Sequence, residues 1–150
     1  MRETLLAVAW AYATLGAAPA RATALSVRFG RALSSRDEEH TYPIPTTDGA
    51  MIDKDNQIIL VRYERKVNAF NLSCPHQNTA LRWHAEDGQF QCPKHHSRYR
   101  PDGVFISGRA TRSMDRFGLR RDGANVVVDV DKFYQQDKNP TDWESAFLAL

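Results

Sequence analysis

Cysteine is scarce in this chain, with only Cys74 and Cys92 among 150 residues. Two cysteines allow at most one disulfide, so a scaffold stapled by several is excluded. Neither sign of charge is in excess: 20 basic residues face 18 acidic ones for a net +2, which leaves no bulk electrostatic case for binding nucleic acid. The uncharged apolar run over residues 5–15 is short for a membrane span, which needs roughly 20 residues. Internal repeats and low-complexity tracts are absent. What remains is ordinary globular composition, 42% hydrophobic and 25% charged, in a length that suits one modest domain.

The first 24 residues differ from the rest. Arg2 precedes the apolar run, small residues follow it, and Ala20-Arg21-Ala22 and Ala22-Thr23-Ala24 each offer a cleavage site. That is the layout of a secretory signal peptide, so the chain is expected to be exported and periplasmic. The alternative is an uncleaved membrane anchor over residues 4–20. Residues 25–39 are polar and charged and read as a linker, or as a tether if the leader is retained.

From residue 40 onward the pattern is of short strands. Alternation and β-branched residues place them at 41–44, 50–52, 57–63, 66–72, 80–84, 89–91, 104–106, 117–121 and 125–130. Glu64-Arg65 reads as a hairpin turn, and Asp87-Gly88, Asp102-Gly103 and Asp122-Gly123 as further turn signals. The fold class is all-β and antiparallel. The tail, residues 132–150, carries Thr141-Asp142-Trp143-Glu144, a capping-box sequence. Trp143, Ala146, Phe147 and Leu150 fall on one helical face, so a short C-terminal helix packed on its own domain is expected.

Both cysteines stand beside histidines. Cys74-Pro75-His76 is followed, fifteen residues later, by Cys92-Pro93-Lys94-His95. Two thiolates and two imidazoles arriving as two matching clips suit a metal centre. Zinc sites usually pair Cys with Cys and His with His at short spacing, whereas each clip here pairs Cys with His. A tetrahedral zinc and, in an exported chain, a Cys74–Cys92 disulfide remain the competing readings.

The two clips resemble those of the Rieske family, and residues 41–130 fit the same pattern. The resemblance implies one [2Fe–2S] cluster per chain, with Cys74 and Cys92 on one iron and His76 and His95 on the other. It implies an antiparallel β-sandwich base over residues 40–131, with a cluster-binding subdomain inserted at about residues 73–114. Replacing two thiolates by neutral imidazoles raises the potential from about −400 mV to between about −150 and +300 mV. After the second clip, Ser97 and Tyr99 match the Ser-x-Tyr ending of the Rieske proteins of cytochrome bc complexes. There the two hydroxyls donate to a bridging sulfide and to a ligand cysteine sulfur. Three departures stand out. Thr79 and Lys94 replace the cysteines of an extra disulfide, His96 replaces a usual glycine, and Gly108-Arg109-Ala110 replaces Gly-Pro-Ala.

The resemblance also implies function. The expected activity is one-electron transfer by an exported carrier or small redox subunit with no catalytic residues of its own. The chain is too short to add the two-histidine, one-carboxylate iron domain of a Rieske oxygenase. The expected partner is a redox protein, a cytochrome or an oxidoreductase subunit, with contact to a membrane only if the leader is retained. Alternatives are the Rieske subunit of a quinol-oxidising bc-like complex, the ferredoxin component of an oxygenase system and, outside redox chemistry, a zinc-stapled exported binding module. Arg98, Arg100, Arg109, Arg112 and Arg116 form a basic stretch that suits either a solvated face or the steering of an acidic partner.

Overall fold

Glu64 and Arg65 both adopt left-handed backbone, with φ of 48° and 58°. Two consecutive positive φ values match the right-handed twist of flanking strands, so this turn closes a tight hairpin. It joins β3 (Ile58–Tyr63) to β4 (Lys66–Asn71) at the position expected from the sequence. The structure, a computed structural model, describes residues 38–150. The expected leader and almost all of the 25–39 linker lie outside the described residues.

Five further strands share the sheet of that hairpin. They are β1 (Glu39–Pro43), β2 (Gly49–Asp53), β9 (Arg116–Asp122), β10 (Asn125–Tyr134) and β11 (Leu148–Ala149). The order is β1-β10-β9-β4-β3-β2, with β11 added beside β4. β3 and β4 are buried on both faces. Ile58, Leu60, Val67 and Ala69 meet Phe117, Val126 and Val128 on one side. Ile59, Val61 and Phe70 face the other core, toward the insertion. Each fully buried aliphatic or aromatic side chain stabilises the fold by roughly 1.5–3 kcal/mol. The base is one sheet curled on itself, so the two faces of the expected sandwich are parts of a single sheet. Its outer strands β1 and β2 come within one side chain of each other, where the Tyr42 hydroxyl donates to Asp53 at 2.8 Å.

Between β4 and β9 lies a second sheet of four short strands. They are β5 (Arg82–His84), β6 (Gln89–Gln91), β7 (Arg98–Tyr99) and β8 (Phe105–Ser107), in sequential order. Topology alone sorts its connections. The segments at residues 73–81, 92–97 and 108–110 gather at one end, and the turns at 85–88 and 100–104 at the other.

Two expectations need correction. β10 was expected to stop at residue 130 but continues to Tyr134 past a bulge. Asp129 accepts backbone N–H bonds from Asp131 and Lys132 there, and Phe133 and Tyr134 pair again with Phe117 and Arg116. The tail helix is also shorter than its apolar stripe suggests. α1 spans Pro140–Ser145, with Asn139 at its N-cap and no side-chain cap bond, so Thr141 lies inside it and the capping box does not form. Trp143 and Ala146 are buried as expected. Leu148 and Ala149 instead become a strand on β4, because β4 leaves an edge open that β11 fills.

Candidate metal centre

The two clips fold into loops of the same shape. In the first, the Asn78 N–H donates to the Cys74 carbonyl at 2.9 Å, and the Cys74 N–H donates to the Thr79 carbonyl at 2.9 Å. In the second, the His96 N–H donates to the Cys92 carbonyl and the Cys92 N–H to the Ser97 carbonyl, again both at 2.9 Å. The fourth residue after each cysteine is left-handed, with φ of 50° at Asn78 and 57° at His96. Asparagine and histidine tolerate that region better than most side chains. The glycine-like backbone implied at residue 96 is therefore present without glycine. Its counterpart, Asn78, passed unnoticed in the sequence, although counting four residues on from each cysteine would have found it.

These loops bring the four candidate ligands together as two pairs. Cys74 and Cys92 are buried, free thiols, so the disulfide reading does not hold. They are neighbours in one buried cluster. Burial pushes the Cys74 thiol above its ordinary pKa, the nearby Cys92 adds to this, and contacts with Tyr99 and the His76 backbone oppose it. A bound cation would offset that cost, since a thiol must lose its proton to ligate. The imidazoles of His76 and His95 stand 4.9 Å apart between ring centroids, at 68°. Both Nδ1 atoms are buried and lack a hydrogen-bond partner, although each residue as a whole is half-exposed. Buried polar atoms are nearly always paired, so two orphans side by side call for a ligand. Their chemistry, two thiols and two imidazole nitrogens with open lone pairs, fits a cluster held by two cysteines and two histidines. Among the described residues, no three Cys, His, Asp or Glu side chains converge as ligands of one ion would.

Ser97 and Tyr99 lie directly behind these ligands, and both are fully buried. The Tyr99 hydroxyl is 3.4 Å from Cys74 Sγ. Burial, reinforced by Cys74, raises the phenol pKa well above its ordinary value, so Tyr99 stays a proton donor. The Ser97 Oγ accepts from the Ala110 N–H at 3.0 Å, which ties the covering loop down and leaves the serine proton free to donate. Gly108, at φ 113°, completes this contact, because a Cβ there would stand 2.4 Å from the Ser97 Cα.

The expected basic stretch divides in space. Arg100 pairs with Asp102, and Arg112 pairs with Asp115. Arg116 is buried away from the site. It donates to the Trp143 carbonyl at 2.6 Å and the Asp102 carbonyl at 2.7 Å, and stacks 3.8 Å from the Trp143 ring. Only Arg98 and Arg109 of the five stay exposed at the loop end. His84 is an exposed residue of β5 and His40 lies on β1, so neither joins the site.

Residues 43–121, more than half of the chain, match the family model of the Rieske [2Fe–2S] domain. The cytochrome b6-f complex iron-sulfur subunit of Synechococcus sp. (strain JA-3-3Ab) is 38% identical over 56 residues, 37% of this chain and 33% of that protein. The corresponding subunit of Chlorobaculum tepidum is 24% identical over 76 residues, 51% of this chain and 42% of that protein. The chain thus spans about a third to two fifths of the length of these relatives. Among solved structures, the plasma membrane Rieske protein PetC3 from Synechocystis PCC 6803 covers 53% of this chain and 82% of its own, at 22% identity and a TM-score of 0.45. The ferredoxin of carbazole 1,9a-dioxygenase from Nocardioides aromaticivorans IC177 covers 57% and 86%, at 23% identity and a TM-score of 0.40.

Proposed function

Because this chain belongs to the Rieske [2Fe–2S] family and so carries one such cluster, we propose that it transfers single electrons as an exported carrier or small redox subunit. Cys74 and Cys92 hold one iron, and His76 and His95 the other. The observation that carries this reading is the pair of buried, unpartnered Nδ1 atoms beside two buried free thiols. When bound, the cluster takes up and releases one electron. The chain's own residues do the rest. The two doubly closed loops hold the ligands in place, and Tyr99 and Ser97 present hydroxyl protons to the sulfur side. The half-exposed imidazoles form the face where a partner can approach.

The leader-like sequence supports export to the periplasm, with mature protein beginning near Thr23 or Leu25. Among the described residues, no helix is long and apolar enough to cross a membrane. A retained segment over residues 4–20 would anchor the protein instead.

A second reading, the Rieske subunit of a quinol-oxidising membrane complex, is favoured by the hydroxyls of Ser97 and Tyr99 and by relatives named as cytochrome b6-f subunits. The ferredoxin component of an oxygenase system would instead call for a strongly negative potential.

Purified protein should contain two irons and two labile sulfides per chain and give a Rieske-type electron paramagnetic resonance signal when reduced. Replacing Cys74, His76, Cys92 or His95 by Ala should abolish that signal. A colourless protein holding one zinc would overturn the reading. N-terminal sequencing that finds Met1 or Arg2 in a membrane fraction would favour the quinol-oxidising complex.

A further inference from the structure

The four-stranded insertion is polarised in charge along its strands. Between residues 72 and 114 the only carboxylates are Glu86, Asp87 and Asp102. All three sit in the turns at residues 85–88 and 100–104, at the end away from the ligand loops. The loops at residues 73–81, 92–97 and 108–110 contain no carboxylate. Cations gather at that end. Lys94 stands within the second ligand loop, and Arg109 lies between Gly108 and Ala110, both held against Ser97. Arg82 and Arg98 open β5 and β7 at the same end, across from Gln91 of β6. All four are exposed, and among the described residues none has a carboxylate partner. Lys94 and Arg109 occupy two of the positions where the sequence departs from the pattern of cytochrome bc Rieske proteins.

We infer that this loop end is a docking face for an acidic protein surface, which approaches over His76 and His95 between Lys94 and Arg109. The inference rests on the electron-carrier reading, since those imidazoles are where the electron would leave. With a net charge of only +2 on the whole chain, the local asymmetry rather than the total charge does the orienting. Charges of one sign around a site raise association rates by about 10- to 1,000-fold at low salt. The effect fades over a Debye length, about 8 Å at physiological ionic strength. A redox protein is favoured over an anionic membrane because Lys94 and Arg109 flank partly exposed imidazoles rather than an apolar insertion surface.

The test uses the cluster-loaded full chain. Its reduced form is mixed by stopped flow with an acidic and with a basic c-type cytochrome, across a range of salt. The wild type should reduce the acidic cytochrome faster at low salt, and the preference should vanish at high salt. Lys94→Gln with Arg109→Gln should cut the low-salt rate toward the acidic cytochrome about tenfold. Arg121→Gln with Lys138→Gln removes the same charge from the base sheet and tail and should leave that rate nearly unchanged. Equal losses in both double variants, or no preference for the acidic partner, would overturn the docking face. Binding to phosphatidylserine vesicles without any cytochrome preference would do the same and point to a membrane. Iron content and the visible spectrum separate the two levels of failure: a chain that loads no cluster defeats the electron-carrier reading, while a loaded, redox-active chain without preference defeats only this inference.

Discussion

The hydroxyl of Tyr99 stands 3.4 Å from the sulfur of Cys74. As the ligand proposed, Cys74 is a thiolate that can only accept, so the phenol donates. A donor to sulfur stabilises the reduced state more than the oxidised one, because reduction adds negative charge there. If about half of a charge-assisted hydrogen bond of about 1.5–3 kcal/mol differs between the redox states, Tyr99→Phe lowers the potential by roughly a few tens of millivolts. Ser97→Ala should lower it too, and the double variant further, with the cluster retained in each. Protein-film voltammetry measures these shifts. A potential that neither substitution moves would show that the hydroxyls do not act on the sulfurs.

Backbone geometry around the second loop makes a pair of opposite predictions. At Gly108 an added Cβ would collide with the Ser97 backbone, and its φ of 113° disfavours any side chain. Gly108→Ala should destabilise the protein by roughly 1–3 kcal/mol and slow or prevent cluster loading. His96, at φ 57°, already carries a left-handed penalty. His96→Gly relieves it, and should leave stability unchanged or raise it by up to about 1 kcal/mol. Denaturant unfolding followed by circular dichroism decides both, and a stable Gly108→Ala variant would contradict the packing described.

The bond between Tyr42 and Asp53 gives the base sheet a pH signature. The Asn56 backbone N–H, then the Asn56 side chain and Tyr42, hold the Asp53 carboxyl down at about 2. Burial, then the bond to Asp53, pushes the Tyr42 phenol up to about 12. Asp53 therefore contributes stability above the ordinary carboxylate pKa of about 4, and that contribution is lost as pH falls through its folded value. Tyr42 contributes below its ordinary pKa of about 10, and that contribution is lost as pH rises through its folded value. The Tm difference between wild type and Tyr42→Phe should be constant between about pH 5 and 9 and shrink on either side. A difference that stays flat into both extremes would mean the bond contributes nothing.

Trp143 makes the tail part of the domain. Its Nε1–H donates to the Met114 carbonyl at 2.7 Å, and both groups are buried. Trp143→Phe keeps the ring contacts but orphans that carbonyl, so it should cost about 1–3 kcal/mol. Deleting residues 140–150 should cost more, because it also removes the carbonyl and the ring against which buried Arg116 rests. Thermal unfolding compares the three proteins. Equal Tm values would show the tail to be dispensable.

The parts of this fold that were legible in the sequence rest on local chemistry. The Glu64-Arg65 turn and the Asp-Gly steps marked four hairpins, and two Cys-Pro clips marked the site. β7 escaped because two residues, Arg98 and Tyr99, carry no period to read. The tail's apolar spacing fitted a helix, but the open edge of β4, a tertiary feature, drew Leu148 and Ala149 into a strand. Likewise, the basic residues between 98 and 116 formed one run in the sequence. Carboxylates two and three residues on, Asp102 from Arg100 and Asp115 from Arg112, took two of them out of it in space. The burial of Arg116 beneath Trp143, 27 residues away in the chain, left no local trace.

The matched pairs of backbone bonds that close each ligand loop have a kinetic consequence. Every change of oxidation state asks the surrounding atoms to adjust, and the energy of that adjustment limits how quickly an electron can hop. In each loop the peptide on either side of the cysteine is already committed, its N–H to one carbonyl and its C=O to an N–H four residues on. Such a preset environment has little left to rearrange when the charge changes. Loosening either loop should therefore slow electron exchange at a given driving force even when every ligand stays in place.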